Sequence, residues 1–380
     1  MNKISLLIML FVMQVGAQTP TLAIADSLYA VGNYSEAILQ LDSIQEKSDV
    51  VQLRLAKLYV ASGNLDSAIK SYKRILQDHP NKLLSAMEYG EVLVKAGELN
   101  AADSLFSLLA IKYPENAGFQ FQQAIIKEKK RDSTHIGFLE RTIEIDPSHQ
   151  QALYKLAKNA LSRRNFSVSE KLSLQGLQVN PNNASLLSIL AQTYFNENSY
   201  VLAIPPLEKL LALGQGNEFV HSKLGFCYYH QNNFKDAIIQ YESALSYEDR
   251  NSDTHYNLGK LYARTGDLKK SETHLLMSLL IKKQPVDAEF LSLALTYKLQ
   301  EDYEKAFQYF NSALEENPEN ERALYERAIA ADNYFKDKKA VLNYYQSYLG
   351  KYSKKGNESL IYLVEIRIKD IKEELHLNGE

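Results

Sequence analysis

The sequence predicts an all-α fold: a stack of about ten helix–turn–helix units closed by a single C-terminal helix. Two observations carry this. Apolar residues recur three or four apart, in two runs per unit, which is helical spacing. The same pattern then returns at a fixed period, with prolines at 80, 114, 147 and 181, spaced 34, 33 and 34 residues apart.

The N-terminus comes first. Met1-Asn2-Lys3 is short and basic, Ile4 to Met13 is apolar except for Ser5, and Val15-Gly16-Ala17 supplies small residues. The apolar run is too short to span a bilayer and fits the core of a secretory signal, so residues 1–17 are expected to be cleaved after Ala17. No cysteine stands near that point, so a lipid anchor is not expected. The expected location of the mature chain is periplasmic or extracellular, with no membrane span after cleavage.

The unit is clearest in LAKLYVASGNLDSAIKSYKRILQDHP, Leu55 to Pro80. The block from Tyr89 to Pro114 repeats it, with Gly90, Leu93, Gly97, Leu99, Ala102, Phe106 and Pro114 each 34 residues after their counterparts. Gly225, Tyr228, Asn232, Phe234, Ala237 and Tyr241 repeat it again, as do Gly259, Tyr262, Gly266 and Leu268. Each position has a physical reason. Glycine or asparagine at 63, 97, 198, 232 and 266 can take the left-handed conformation that stops the first helix. Small residues such as Ala56, Gly90 and Gly225 mark close helix crossings. Proline ends the second helix because it cannot continue it. One such pair cannot bury its apolar faces, whereas stacked neighbours can.

This pattern resembles the tetratricopeptide repeat (TPR) family over roughly residues 18–350. The resemblance implies a right-handed superhelical α-solenoid that binds a protein or peptide in a concave groove. The family's usual tryptophan is absent, since the chain has no Trp. Gln52, Ala86, Leu153, Leu187, His221, His255, Phe290 and Leu324 stand in its place. The organisation expected is a signal at 1–17, three units at 18–116, a degenerate fourth unit at 117–149, six units at 150–353, and a capping helix with tail at 354–380. The fourth unit has a turn without glycine, KEKKRDST, and is a candidate flexure. Pro205-Pro206 falls inside the second helix of unit six, and that helix is expected to start late, near Pro205, or to kink. Leu360, Val364, Ile368, Ile371 and Leu375 lie at helical spacing beside lysines and glutamates, and 359–376 is expected to shield the last repeat with one polar face outward.

Composition narrows the function classes. The net charge of -3 offers no basic footprint for nucleic acid. The single cysteine, Cys227, excludes an intramolecular disulfide and is expected to be a buried, inert thiol. There is no GxSxG, HExxH, GxxxxGK[ST] or CxxC, so no enzyme, metal or cofactor is expected. Gly214-Gln215-Gly216 follows no strand and is read as a linker. His221 and His255 occupy equivalent positions in adjacent units, which raises the thought that they approach each other. No third ligand completes a metal site there.

By resemblance, the fifth, ninth, twelfth and thirteenth positions of each first helix line the groove. They give Gln192, Phe195 and Asn196 in unit six, Phe226, Tyr229 and His230 in unit seven, and Tyr256, Lys260 and Arg264 in unit eight. Aromatic rings beside cations suit an extended peptide, an acidic segment or a sugar chain. Packing of the same rings between neighbouring first helices is the plainer alternative. The leading reading is therefore an exported scaffold for a protein or peptide. The second is a guide for envelope polysaccharide, and an enzyme is remote.

Overall fold

The computed structural model describes residues 20–282 and 286–377, so the expected signal at 1–17 lies outside the described residues. All regular structure among the described residues is helical, and the chain divides into two compact units, one ending at Pro181 and the other beginning at Asn182.

The first unit holds five antiparallel pairs. These are α1 (20–30) with α2 (Tyr34–Asp42), α3 (Asp49–Ala61) with α4 (Leu65–Asp78), α5 (Leu83–Ala96) with α6 (Leu99–Lys112), α7 (Ala117–Lys129) with α8 (His135–Ile145), and α9 (Gln150–Ser162) with α10 (Phe166–Val179). The second unit adds α11 (Ala184–Asn196) with α12 (Tyr200–Ala212), α13 (Glu218–His230) with α14 (Phe234–Tyr247), α15 (Ser252–Thr265) with α16 (Leu268–Ile281), α17 (Asp287–Leu299) with α18 (Tyr303–Glu316), and α19 (Glu321–Tyr334) with α20 (Lys338–Tyr352). A single helix, α21 (Glu358–Leu377), packs on α20. Within each unit every helix contacts the next, so the core is a chain of local clusters with no common centre.

The turns explain the Gly-Asn pair of the repeat. Gly63 ends α3 with φ of 81°, a conformation that costs an L-residue about 1–2 kcal/mol. Asn64 then caps α4, its Oδ1 accepting from the Ser67 N–H at 3.2 Å. Asn198 and Asn232 take the left-handed place as expected, and Arg131, Arg164 and Glu301 take it where neither glycine nor asparagine stands at that position. The glycine-free turn of the fourth pair therefore keeps the same path, with Arg131 bearing the strain.

The helix pairs close tightly where small residues sit. A Cβ added to Gly90 would lie 2.5 Å from the Phe106 ring, and one on Gly259 would lie 2.6 Å from Leu275 Cγ. Tyrosines then tie one pair to the next. Tyr228 donates to Glu208 at 2.5 Å, Tyr262 to Glu242 at 2.5 Å and Tyr297 to Glu272 at 2.7 Å, each reaching from a first helix to the preceding second helix.

One expectation fails. Helix α12 runs unbroken from Tyr200 to Ala212 with Pro205 and Pro206 inside it, so it starts neither late nor at the prolines. The prolines deprive the carbonyls of Val201 and Leu202 of their helical donors. Both residues are more than half exposed, so water can serve those carbonyls, while Ile204, Pro206, Leu207 and Leu210 hold the helix down by burial.

The last helix is anchored by charge as well as by packing. Val364, Ile368 and Ile371 are buried against the preceding pair. Arg367 forks onto Asp332 of α19, with Nε at 2.6 Å and Nη2 at 3.1 Å. Burial pushes the Asp332 carboxyl up, but Arg367 and Lys338 outweigh it and hold it below the ordinary value. The outward face is not wholly polar, since Tyr362, Leu363 and Ile366 remain exposed on it.

Candidate functional site

First helices of successive pairs in the second unit stand side by side, and α15 touches α17 directly. Residues at the same register position on each therefore come together. They form a cleft of about 510 Å³ whose lining comes from α13, α15, α16, α17 and α19. Tyr229, Tyr256, Lys260 and Arg264 line it, as the register reading places them together. Gln192, Phe195, Asn196, Phe226 and His230 do not.

Those five have other surroundings. Phe195 and Phe226 pack ring to ring at 5.2 Å, and Tyr200, the first residue of α12, touches both and stacks near His230 at 4.4 Å. Lys223 lies over Phe195 at 4.2 Å. Gln192 turns back onto its own helix and donates to Ser188. Asn196 is exposed at the end of α11. Here the rings pack between neighbouring first helices.

The cleft has three kinds of wall. Lys260 lies between two rings, 5.2 Å from Tyr256 and 5.7 Å from Tyr229, and Arg264 lies 4.6 Å from the Phe234 ring. Such contacts hold a cation near the surface without neutralising it. Leu291, Leu295 and Leu299 sit four apart on α17 and make an apolar strip. At the far end Lys298 and Arg322 share Glu326, at 2.6 Å and 3.9 Å. Ser292 donates to the Tyr256 hydroxyl at 3.3 Å, joining α17 to α15.

The residues from α17 and α19 were not named from the sequence. Leu291, Leu295, Lys298 and Leu299 stand at the same four register positions in unit nine, so the rule that gave Tyr256, Lys260 and Arg264 reaches them when carried one repeat further. Arg322 and Glu326 follow no such rule. They enter because α19 packs beyond α17.

The histidines do not form the pair that their equivalent positions suggested. His221 meets Gln240 at 2.8 Å and stacks on Tyr247. His255 meets His274 of its own helix pair, Nδ1 to Nδ1 at 2.9 Å, and its Nε2 faces the Asp249 carbonyl at 2.9 Å. The second helix of each pair is the nearer partner, because repeats offer the same position one full unit away. Among the described residues no group of three or more His, Cys, Asp or Glu is placed to hold a metal. Cys227 is fully buried, and burial pushes its thiol up to about 12, with Lys223 opposing weakly. No described helix is long and apolar enough to cross a membrane.

Family models that match three stretches of the chain agree with this architecture. Residues 28–86 and 290–320 match tetratricopeptide-repeat families, and residues 225–266 match a family described as TPR repeat. No curated protein matches the chain. Among solved structures, YrrB, titled a TPR protein with an unusual peptide-binding site, is 19% identical, with a TM-score of 0.46, over 49% of this chain and 96% of its own. PilF of Pseudomonas aeruginosa is 19% identical, with a TM-score of 0.44, over 59% and 97%. The anaphase-promoting-complex assembly Cut9–Hcn1 is 14% identical, with a TM-score of 0.42, over 91% and 82%.

Proposed function

From the premise that this chain is a tetratricopeptide-repeat protein, an interaction scaffold in general kind, we propose that it binds a partner protein through an extended peptide segment laid in the cleft of its second unit. The observation that carries this is the contrast within the repeat. Positions that recur, such as Gly225, Gly259 and Ala294, are used up in helix crossings. Positions that vary, Tyr256, Lys260, Arg264, Leu291 and Leu295, converge on one cleft. The cleft offers aromatic, cationic and apolar surface together, which is the composition that concentrates binding energy. A neutral sugar chain would use the rings but leave the cations without partners, so the peptide reading fits better than the polysaccharide one.

Residues 1–17 further support export of the chain to a periplasm or the exterior. A mature N-terminus at Gln18, read by mass spectrometry of the exported protein, is the expected result, and retention of Met1 would refute it.

The test of binding is selection from a random peptide library against the full chain. The triple substitution Tyr229→Ala, Lys260→Ala and Arg264→Ala serves as the counter-target. Selected peptides are expected to bind the parent and to lose the variant while its helicity is unchanged. Peptides that bind both equally would move the site elsewhere.

A further inference from the structure

We propose that the segment taken by this cleft is acidic, with side-chain carboxylates alternating with apolar residues, and that Glu326 is a built-in carboxylate limiting how much negative charge it accepts. This deepens the peptide reading above and rests on it.

Four cations line the cleft against a single carboxylate. Glu326 is 8% exposed, and Lys298 donates to it at 2.6 Å with Arg322 beside it, so one end of the cluster already holds a carboxylate at hydrogen-bonding distance. At the other end Lys260 and Arg264 rest on rings and, among the described residues, have no ion-pair partner. A ligand carboxylate there gains a charge-assisted bond without displacing an internal one. An extended segment sends successive side chains to opposite sides, so residues that alternate with the acids can face the Leu291, Leu295 and Leu299 strip.

The chemistry is assigned to side chains and not to a chain terminus, and the probes are built to tell these apart. The full chain is titrated with three short fluorescein-labelled peptides, all amidated at the C-terminus, alternating leucine with aspartate, asparagine or lysine, and with two further labelled probes, the asparagine peptide with a free C-terminus and a polyuronate. Fluorescence anisotropy is the readout. The aspartate peptide is expected to bind about tenfold or more tightly than the asparagine peptide, with an affinity that falls as salt rises. Lys260→Gln with Arg264→Gln should remove that preference, so that the variant binds the aspartate and asparagine peptides alike. Glu326→Gln should tighten the aspartate peptide severalfold, a gain that a misfolded variant could not give.

Equal binding of the aspartate and asparagine peptides, both weakened by Leu295→Ala, would overturn the acidic assignment and keep the peptide cleft. Binding only when the C-terminus is left free would overturn it in favour of a terminal carboxylate. Binding of none of the peptides, with a polyuronate bound instead, would overturn both this inference and the peptide reading.

Discussion

Replacing Gly259 by alanine places a methyl group in a close helix crossing of the second unit. The new Cβ would lie 2.6 Å from Leu275 Cγ, 2.8 Å from its Cδ2 and 3.3 Å from its backbone nitrogen. Leu275 is fully buried among Leu293, Ala294, Tyr297 and Phe310, so it cannot swing aside. Helices α15 and α16 must part instead. Forcing an extra carbon into a packed core costs about 1–3 kcal/mol. Alanine returns up to about 1 kcal/mol through its better helix propensity. Contacts of 2.6 and 2.8 Å put the packing cost in the upper part of its range, about 2–3 kcal/mol, so the net is a loss of about 1–2 kcal/mol. Gly137→Ala is the matched control, because that glycine is exposed within α8 and a Cβ there meets nothing within 4 Å. It should gain up to about 1 kcal/mol from the same propensity term. Urea unfolding followed by far-ultraviolet circular dichroism reads both. The two substitutions should move the midpoint in opposite directions, and a Gly259→Ala chain as stable as the parent would refute the close-crossing argument.

Other outcomes follow from the same packing. Arg367→Ala removes a forked bond from Asp332 but leaves Lys338 on that carboxylate, so the cost is about 2 kcal/mol, below the 3–5 kcal/mol of a fully orphaned buried charge. Amide exchange across α21 should quicken, and unchanged exchange there would contradict the anchor. Pro205→Ala restores a donor to the Val201 carbonyl within α12 and should stabilise by about 1–2 kcal/mol, measured by the same unfolding curve, with a loss counting against the account. His274 has its pKa held below the ordinary 6.5, first by burial and then by His255 and Lys270, with Glu242 opposing. The unfolded chain takes a proton that the folded ring refuses, so stability is full above about pH 6.5 and falls as pH drops below it. His274→Gln should flatten that part of the pH dependence of the urea midpoint, and an unchanged slope would remove His274 as its source.

Much of the fold was legible because a repeat states its own rules several times. Gly63, Gly97 and Gly266 mark the turns, and Gly90, Gly225 and Gly259 mark the crossings, each for a reason that a single residue can show. What stayed hidden depended on neighbours. Pro205 and Pro206 read as breakers, yet exposed carbonyls on one side and buried side chains on the other let α12 pass through them. Arg131, Arg164 and Glu301 carry left-handed turns that their residue types do not announce, because the flanking helices fix the path. In the site, register alone grouped Phe226 and Tyr229 together. The structure separates them, since Tyr200 from a second helix draws Phe226 into packing while Tyr229 is left on the cleft. Lys298 and Leu295 obeyed the register rule one repeat beyond where it had been applied. Glu326 was out of reach, because its place depends on how α19 packs beyond α17.

The central claim is that the cleft of the second unit is where a partner segment lies. Hydrogen exchange of the full chain, with and without the leucine–aspartate peptide at saturation, tests it most directly. Slower exchange confined to α13, α15, α17 and α19, and absent in the Lys260→Gln, Arg264→Gln chain, is the predicted result. Protection centred on other helices, or on no helix despite binding, would contradict it.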